Sequence, residues 1–189
     1  MTADRRLPRW TTWAVAAGLL VAAWFVALVT PGEEQAQSPF VVAAEMGETT
    51  TGRNIAATVI DIRRAAEIRE DSDGWAADGN WLVIDLEVAS VTSEALTRLD
   101  HAIVEVDGVR YSASDRPDSL ARAALAAGIP QAGSLAFELP ADLESGPAVL
   151  ELALRSDPRL DSMIVLHFDV ADASPVPQAE LRETGWANP

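Results

Sequence analysis

An uninterrupted apolar run near the start of the chain places the strongest constraint on how it folds. From Trp10 to Thr30 the sequence reads WTTWAVAAGLLVAAWFVALVT, and no charged side chain lies between Arg9 and Glu33. A bilayer core about 30 Å thick needs roughly 20 helical residues to cross it. Only a helix satisfies its own backbone hydrogen bonds in lipid. The sequence therefore predicts a transmembrane helix over residues 10–30, surrounded by membrane lipid.

The charges that flank this run predict its orientation. Three of the first nine residues are arginines, whereas Glu33 and Glu34 follow the run. Positively charged flanks stay on the cytoplasmic side of a membrane. We therefore expect residues 1–9 in the cytoplasm and the rest of the chain outside, as in a single-pass plasma-membrane protein.

A cleaved signal peptide is the alternative interpretation of the same run. Against it, the run is longer than the roughly 7–15 residues of a typical signal-peptide core. The small residues at positions 36–38 precede Pro39, which is unfavourable beside a cleaved bond. The sequence contains no cysteine that could carry a lipid. An uncleaved anchor is the prediction that we adopt.

Beyond the predicted helix the chain is strongly acidic. It has eleven arginines, no lysine and 28 acidic residues there, a net charge of −17. Such a surface repels phosphate groups, so we expect no nucleic-acid partner. The absence of cysteine and lysine excludes thiolate catalysis, cysteine-ligated zinc and a Walker lysine. Ser134 follows Gly133, but it has no G-x-S-x-G motif around it. We therefore expect neither an enzyme nor a bound cofactor.

Residues 40–170 consist of strand-like runs separated by turn residues. The run at 81–88 (WLVIDLEV) alternates strictly, which predicts that Leu82, Ile84, Leu86 and Val88 share one buried face. Similar runs occupy residues 55–62, 102–106, 109–113, 134–139, 149–154 and 163–170. Seven or eight strands of this length predict an all-β fold, an antiparallel β-sandwich.

Four other segments give local predictions. Asp107-Gly108 lies between two strand-like runs and predicts a β-hairpin, because glycine adopts a positive φ without penalty. Residues 118–127 (DSLARAALAA) favour a short helix that Gly128 would end. Residues 31–39 are predicted to be a linker. Residues 171–189, which contain three prolines and no periodicity, are predicted to be a flexible tail.

Several of these segments follow one another in the order of a known family. They are the strand at 81–91, the turn Val106-Asp107-Gly108 with Tyr111, and GSLAFELP at 133–140. Over about residues 40–170 the chain resembles the immunoglobulin-like extracellular domains of unknown function of Gram-positive bacteria, which are similar to secreted immunoprotective antigens of actinobacteria. The resemblance implies an immunoglobulin-like β-sandwich on a lipoprotein or membrane anchor, and it implies no catalytic residues. Phe137 in the last motif is expected to fill the space between the sheets.

The best candidate for a metal site is the segment DSDGWAADGN at residues 71–80. Asp71, Asp73 and Asp78, together with Glu70, could supply the carboxylate oxygens that calcium prefers. The spacing does not match an EF-hand, because Trp75 occupies the third ligand position. The alternative is a polar loop between two strands, since turns favour aspartate and glycine in any case.

Two other groups of polar residues are weaker candidates. His101 and His167 have no metal-binding motif around them, and alternation places His167 on a solvent-facing side. Asp61 and the pair Arg63-Arg64 alternate with isoleucines, which indicates a solvated strand face with an Asp–Arg pair or, alternatively, a docking patch.

The sequence therefore predicts a membrane-anchored, extracytoplasmic β-sandwich that acts as a protein-interaction or accessory module in the cell envelope. Its partner would be another envelope or membrane protein, for example an exporter. The alternative is a cation- or ligand-binding domain that uses the acidic segment at 71–78, and an envelope enzyme ranks last.

Overall fold

The computed structural model describes residues 9–29, 37–70, 74–92 and 97–187. The chain forms two compact units, Met1–Ser38 and Pro39–Pro189. The first unit contains helix α1 (Arg9–Val29). Its stretch Trp10–Leu28 has a mean hydropathy of 1.9, and none of it is buried. By length and composition α1 is sufficient to cross a membrane.

The second unit is built from short and long β-strands. Two strands of 15 residues, β3 and β4, form its centre. The strands are β1 (Phe40–Ala43), β2 (Thr49–Thr51), β3 (Ile55–Arg69), β4 (Ala76–Ser90), β5 (Thr97–Arg98), β6 (His101–Val106), β7 (Val109–Ser112), β8 (Ala124–Leu125), β9 (Gln131–Leu139), β10 (Pro147–Ala153), β11 (Ser162–Asp169), β12 (Ser174–Val176), β13 (Ala179–Glu180) and β14 (Gly185–Trp186). A 3₁₀ turn (Val170–Asp172) follows β11.

These strands form a β-sandwich. One sheet has the order β1-β11-β10-β6-β7, and the other has the order β12-β3-β4-β9-β14, with β2 and β13 also paired to β3. The chain crosses between the sheets from β4 to β6 and again from β9 to β10. This is the Greek-key arrangement of immunoglobulin domains. The predicted all-β, immunoglobulin-like fold after an apolar helix is confirmed.

The sequence predicts an antiparallel sandwich, but the structure also contains parallel strand pairs. β1 pairs with β11 in parallel, and β12 and β13 pair with β3 in parallel. The parallel pairings of β12 and β13 with β3 arise because the chain leaves β11, crosses to the other sheet and then runs along β3 in the same direction. The long central pairings β3–β4, β4–β9, β10–β11 and β10–β6 are antiparallel.

The main core lies between the two sheets. The four predicted side chains of β4 all belong to it: Leu82, Ile84, Leu86 and Val88. Phe137 of β9 is fully buried among them, as predicted. Burial of a side chain of this size stabilises the fold by about 1.5–3 kcal/mol.

A second, smaller core lies on the opposite face of β4. Trp81 and Val83 are completely buried there, although alternation assigned that face to solvent. Ala179 and Leu181 cover them. Both come from residues 174–187, which we call the C-terminal segment. The prediction of a flexible tail over 171–189 was therefore wrong, because this segment adds β12, β13 and β14 to the sheet.

The predicted helix at residues 118–127 is absent, and the chain forms turns and the two-residue strand β8 there. The amide of Leu120 donates to the carbonyl of Ser134, and the amide of Leu99 donates to that of Ala123. Leu120 is also fully buried. Tertiary hydrogen bonds and burial thus replace the helical hydrogen bonds that composition favoured.

The predicted hairpin is present. β6 and β7 pair from Val106–Val109 outward to Ile103–Ser112. Asp107 and Gly108 connect them with φ values of 49° and 78°. Positive φ at both central residues defines a type I′ turn, for which Asp-Gly is a preferred sequence.

Candidate functional site

A polar network joins the two central strands to the C-terminal segment. The Nη2 of Arg63 donates to Oδ2 of Asp85 at 2.6 Å, and Oγ of Ser134 donates to Oδ1 of Asp85 at 2.6 Å. The backbone amide of Arg182 in turn donates to Oγ of Ser134 at 2.8 Å. The side chains of Arg63 and Asp85 are only 20% and 16% exposed. The network therefore fixes the C-terminal segment to the sheet through largely buried, charge-assisted bonds.

Arg63, Asp85 and Arg182 of this network line a cleft, which we call the Arg63 cleft. It has a volume of about 690 Å³ and is open to solvent on one side. The C-terminal segment supplies one wall, with Arg182 and Thr184. Four acidic residues also line it: Glu70, Asp118, Glu180 and Glu183. The cleft is therefore polar and mostly negative, in keeping with the charge of the whole chain.

The Asp61–Arg63 pair that the sequence predicted is present, but it is the weaker contact of Arg63. Its Nε lies 3.4 Å from Oδ2 of Asp61, whose side chain is half exposed. The stronger partner, Asp85, was not predicted. Because Arg63 is four-fifths buried beside the C-terminal segment, this side of β3 is not the solvated strand face that alternation indicated.

A second cleft is lined by Arg64, the residue that follows Arg63 in β3, and we call it the Arg64 cleft. It has a volume of about 370 Å³. Arg64, Gly79 and Glu144 line it, together with small and apolar side chains from Ala65, Ala66, Ala141, Pro175 and Val176. Asn80 closes one end, because its Nδ2 donates to the carbonyls of Pro140 and Leu143.

The two histidines lie on the five-stranded sheet, away from both clefts. His101 begins β6 and is almost completely buried, and its Nε2 lies 3.1 Å from Oε2 of Glu151. Arg110 donates to the same oxygen. His167 is exposed on β11, as alternation predicted. His101 thus belongs to an ion-pair cluster with Glu151 and Arg110. In the part of the chain that the structure describes, no three His, Asp or Glu side chains are grouped in a way that could hold a metal ion.

The acidic segment at 71–80 is only partly described. Asp71 and Asp73 lie outside the described residues. Asp78 does not lie in a loop as expected, because β4 begins at Ala76 and Asp78 pairs with Glu67 across the ladder. Between β3 and β4, the amide of Glu70 donates to the carbonyl of Trp75, so the two strands are joined before Asp78 is reached. A calcium site at these three aspartates stays a prediction.

Asp169 fixes the backbone at the end of β11 by accepting two hydrogen bonds. Its Oδ1 accepts hydrogen bonds from the amides of Ala171 at 2.8 Å and Gly146 at 3.1 Å. These two bonds lower the pKa of the Asp169 carboxyl, the Ala171 bond more than the Gly146 bond. Asp169 therefore caps the 3₁₀ turn from which the C-terminal segment departs.

Sequence reasoning missed the link between Asp85, Ser134 and the C-terminal segment. Alternation only separates Asp85 from the buried face of β4, and Ser134 stands out in the sequence only as a possible nucleophile. A carboxylate between the apolar residues Ile84 and Leu86 was the available signal. Its partners could not be named, because Ser134 lies 49 residues away and Arg63 lies 22 residues away.

No protein-family model and no curated protein matches the chain. Two solved structures are similar. An uncharacterised β-sandwich protein from Clostridium difficile is 11% identical over 74% of this chain and 99% of its own, with a TM-score of 0.49. A candidate lipoprotein from Staphylococcus aureus is 12% identical over 76% of this chain and 99% of its own, with a TM-score of 0.46. The function proposed for this protein does not depend on either similarity.

Proposed function

We propose that this protein is a single-pass membrane protein whose β-sandwich lies outside the cytoplasm and serves as an interaction or accessory module in the cell envelope, for example beside an exporter. The observation that carries the proposal is helix α1. Trp10–Leu28 contains no charge, is about as long as a bilayer core is thick, and leaves its large apolar side chains exposed. A bilayer would bury these side chains.

The charge distribution supports the orientation. Arginine is concentrated before the helix and acidic residues after it. Positive flanks favour the cytoplasmic side. The strongly acidic sandwich would be repelled by anionic lipid headgroups, so it would stand off the membrane rather than lie on it. This arrangement leaves its surfaces accessible to another envelope protein.

The hydrogen bonds of Ser134 favour a binding role for this protein over a catalytic role. A serine nucleophile is commonly activated by a neighbouring histidine base. Here the Ser134 hydroxyl donates to Asp85 and accepts from the main chain of Arg182, so both of its bonds serve to join structural elements. Both described histidines lie on the opposite sheet. The Arg63 cleft therefore supports the fold rather than a hydrolytic centre.

An exposed edge strand offers a surface for a partner. β1 lies at the edge of the five-stranded sheet and carries no charge. Phe40 and Val41 are 58% and 59% exposed. An uncovered edge strand with apolar side chains pairs readily with a strand from another protein. We assign this edge to a strand of a membrane-resident partner, since an anchored domain meets such partners most often.

Site-specific crosslinking in native membranes tests the proposal. A photoreactive amino acid replaces Val41 in the full chain, and Ile129, which is similarly exposed but lies outside β1, serves as the matched control. We expect a discrete adduct with a membrane or envelope protein from position 41 and none from position 129. Recovery of uncrosslinked chain from both positions, or identical adducts from both, would contradict the proposal.

A further inference from the structure

The loops at one end of the β-sandwich form a hydrogen-bonded rim. The chain enters the sandwich at this end, where the amide of Phe40 in β1 donates to the carbonyl of Asp161. Nδ2 of Asn54 donates to Oδ2 of Asp161 at 2.8 Å, and the carbonyl of Asn54 accepts from the amide of Val91. Two more amide-to-carbonyl bonds continue the series, from Gly128 to Ser90 and from Ala187 to Pro130. We call residues 52–54, 90–92, 127–130, 154–161 and 185–187 the rim.

The rim displays large apolar side chains to solvent. Four of them are exposed, each from a different part of the rim: Val91, Ile129, Leu160 and Trp186. At the opposite end of the sandwich, Val109 is the one large apolar side chain that is exposed among the described residues. Single exposed apolar residues are common on any protein, but a group of them at one end indicates an interaction surface.

The backbone of Leu160 is unfavourable for the residue that it carries. Its φ is 58°, in the left-handed region that a Cβ makes costly. Glycine or asparagine would adopt this conformation at a lower cost. The carbonyl of Leu160 accepts from Nη2 of Arg53, so a bond within the rim holds the turn. A strained turn thus presents an apolar side chain to solvent, and such strain is concentrated at functional positions.

The rim also differs in charge from the rest of the sandwich. It carries three arginines and two aspartates, namely Arg53, Arg155, Arg159, Asp157 and Asp161. Glu94, which lies outside the described residues, follows the second rim loop in the sequence and brings this balance to zero. The connections at the opposite end, 107–108, 140–146 and 169–172, carry five acidic residues and no arginine. Repulsion by anionic headgroups therefore acts least on the rim.

The predicted membrane anchor is attached to the sandwich at the rim. Residues 30–39 join α1 to β1, and ten residues span at most about 36 Å when fully extended. A domain on so short a tether meets the lipid surface constantly. Of the two ends of the sandwich, the rim is the one that combines the tether with exposed apolar side chains and a neutral charge.

We propose that the rim contacts the lipid bilayer, with Ile129, Leu160 and Trp186 at the level of the headgroups and the acidic end directed away. Tryptophan is favoured at this depth because its ring is apolar and its N–H is polar. Contact through one end keeps the faces of both acidic sheets off the lipid and leaves the β1 edge accessible to a partner. The inference rests on the proposed function, because α1 must anchor the chain for the rim to meet the bilayer.

Quenching of a fluorescent label by lipid headgroups tests this contact. The chain has no cysteine, so Ile129→Cys on the rim and Val109→Cys at the opposite end each provide one labelling site of similar exposure. Each full chain, labelled with nitrobenzoxadiazole, is reconstituted in phosphatidylcholine vesicles with or without nitroxide on the headgroups. A nitroxide quenches only nearby fluorophores. We expect the nitroxide to remove most of the fluorescence at position 129 and none at position 109.

Substitutions test whether apolar contact causes the quenching. Leu160→Asn removes an apolar side chain from the rim and keeps a backbone that asparagine tolerates. Combined with Trp186→Ser, it should reduce the quenching at position 129 at least about twofold, because lipid contact scales with buried apolar area. Met46→Ser, at an exposed methionine outside the rim, should leave the quenching unchanged. No quenching at position 129, equal quenching at both positions, or quenching that the double variant leaves intact would overturn the proposal.

The rim contact and the proposed function fail in different ways. A chain that alkaline carbonate extracts from the vesicles contradicts the anchor and, with it, the rim contact. A chain that resists extraction but is not quenched at position 129 overturns the rim contact alone, as does a protein adduct from a photoreactive residue at position 129. Quenching at position 129 without a crosslink from position 41 supports the rim contact and contradicts the proposed partner.

Discussion

The guanidinium of Arg63 on β3 and the carboxylate of Asp85 on β4 lie 2.6 Å apart on the face of the sheet that the C-terminal segment covers. Asp85 also accepts from Ser134, whose oxygen receives the amide of Arg182. One carboxylate therefore links β3, β4, β9 and the C-terminal segment. This explains why a segment with short strands and two prolines is an ordered part of the fold.

Asp85→Ala should destabilise the sandwich by about 2–3 kcal/mol. It leaves a largely buried guanidinium and the Ser134 hydroxyl without their main acceptor. Urea unfolding of the full chain in non-ionic detergent, followed by tryptophan fluorescence, measures the loss. The control is Asp157→Ala, because Asp157 forms its ion pair with Arg159 in an exposed position. Equal stability of the two variants would show that the network has no structural role.

Phe137→Ala should lower the free energy of unfolding by about 3–5 kcal/mol, because the side chain is completely buried between the two sheets and its removal leaves a cavity. The same unfolding experiment measures it. Phe40→Ala removes an identical side chain from an exposed position and should change stability little. Comparable losses from both variants would mean that Phe137 is not at the centre of the core.

Leu181→Ala should loosen the C-terminal segment at a cost of about 2–3 kcal/mol, because Leu181 covers the second core. Hydrogen exchange measured by mass spectrometry should show faster exchange in residues 174–187 and in the adjoining part of β3. Leu160→Ala, at a half-exposed leucine, is the control. Rapid exchange of residues 174–187 in the unmodified protein would contradict the ordered segment.

Asp169 should make stability depend on pH in the acidic range. Its pKa is lowered in the folded state by the Ala171 and Gly146 amides. The carboxylate therefore stabilises the fold above its unfolded pKa of about 3.9, and this contribution is lost as pH falls through the lower folded pKa. The stability difference between the protein and Asp169→Asn should be constant from about pH 5 to 7 and shrink below about pH 4. A difference that does not change with pH would exclude this role.

The central strands and the main core could be predicted because their information is local. The alternation around Leu82 and Ile84 and the Asp107-Gly108 turn each fix a structure within a few residues. The prediction of a helix at residues 118–127 failed because contacts with residues distant in the chain determine the structure there. At Leu120 and Ala123, hydrogen bonds to β9 and to Leu99 replace a helix that the composition favours.

The C-terminal segment and the clefts could not be predicted for a related reason. Ala179 and Leu181 are the buried residues of a proline-containing stretch, and their burial depends on the second apolar face that Trp81 and Val83 present. Alternation assigned that face to solvent. The covering segment lies about 100 residues further along the chain, where no periodicity marks it as a strand.

Protease accessibility in intact protoplasts tests the central claim most directly. The full chain carries one tag before residue 1 and another after residue 189, and protease is added outside. We predict loss of the C-terminal tag, while an N-terminal fragment stays protected and resists extraction from the membrane by alkaline carbonate. A protected C-terminal tag, or a product beginning near Pro39 released into the medium, would contradict an anchored domain displayed outside the cell.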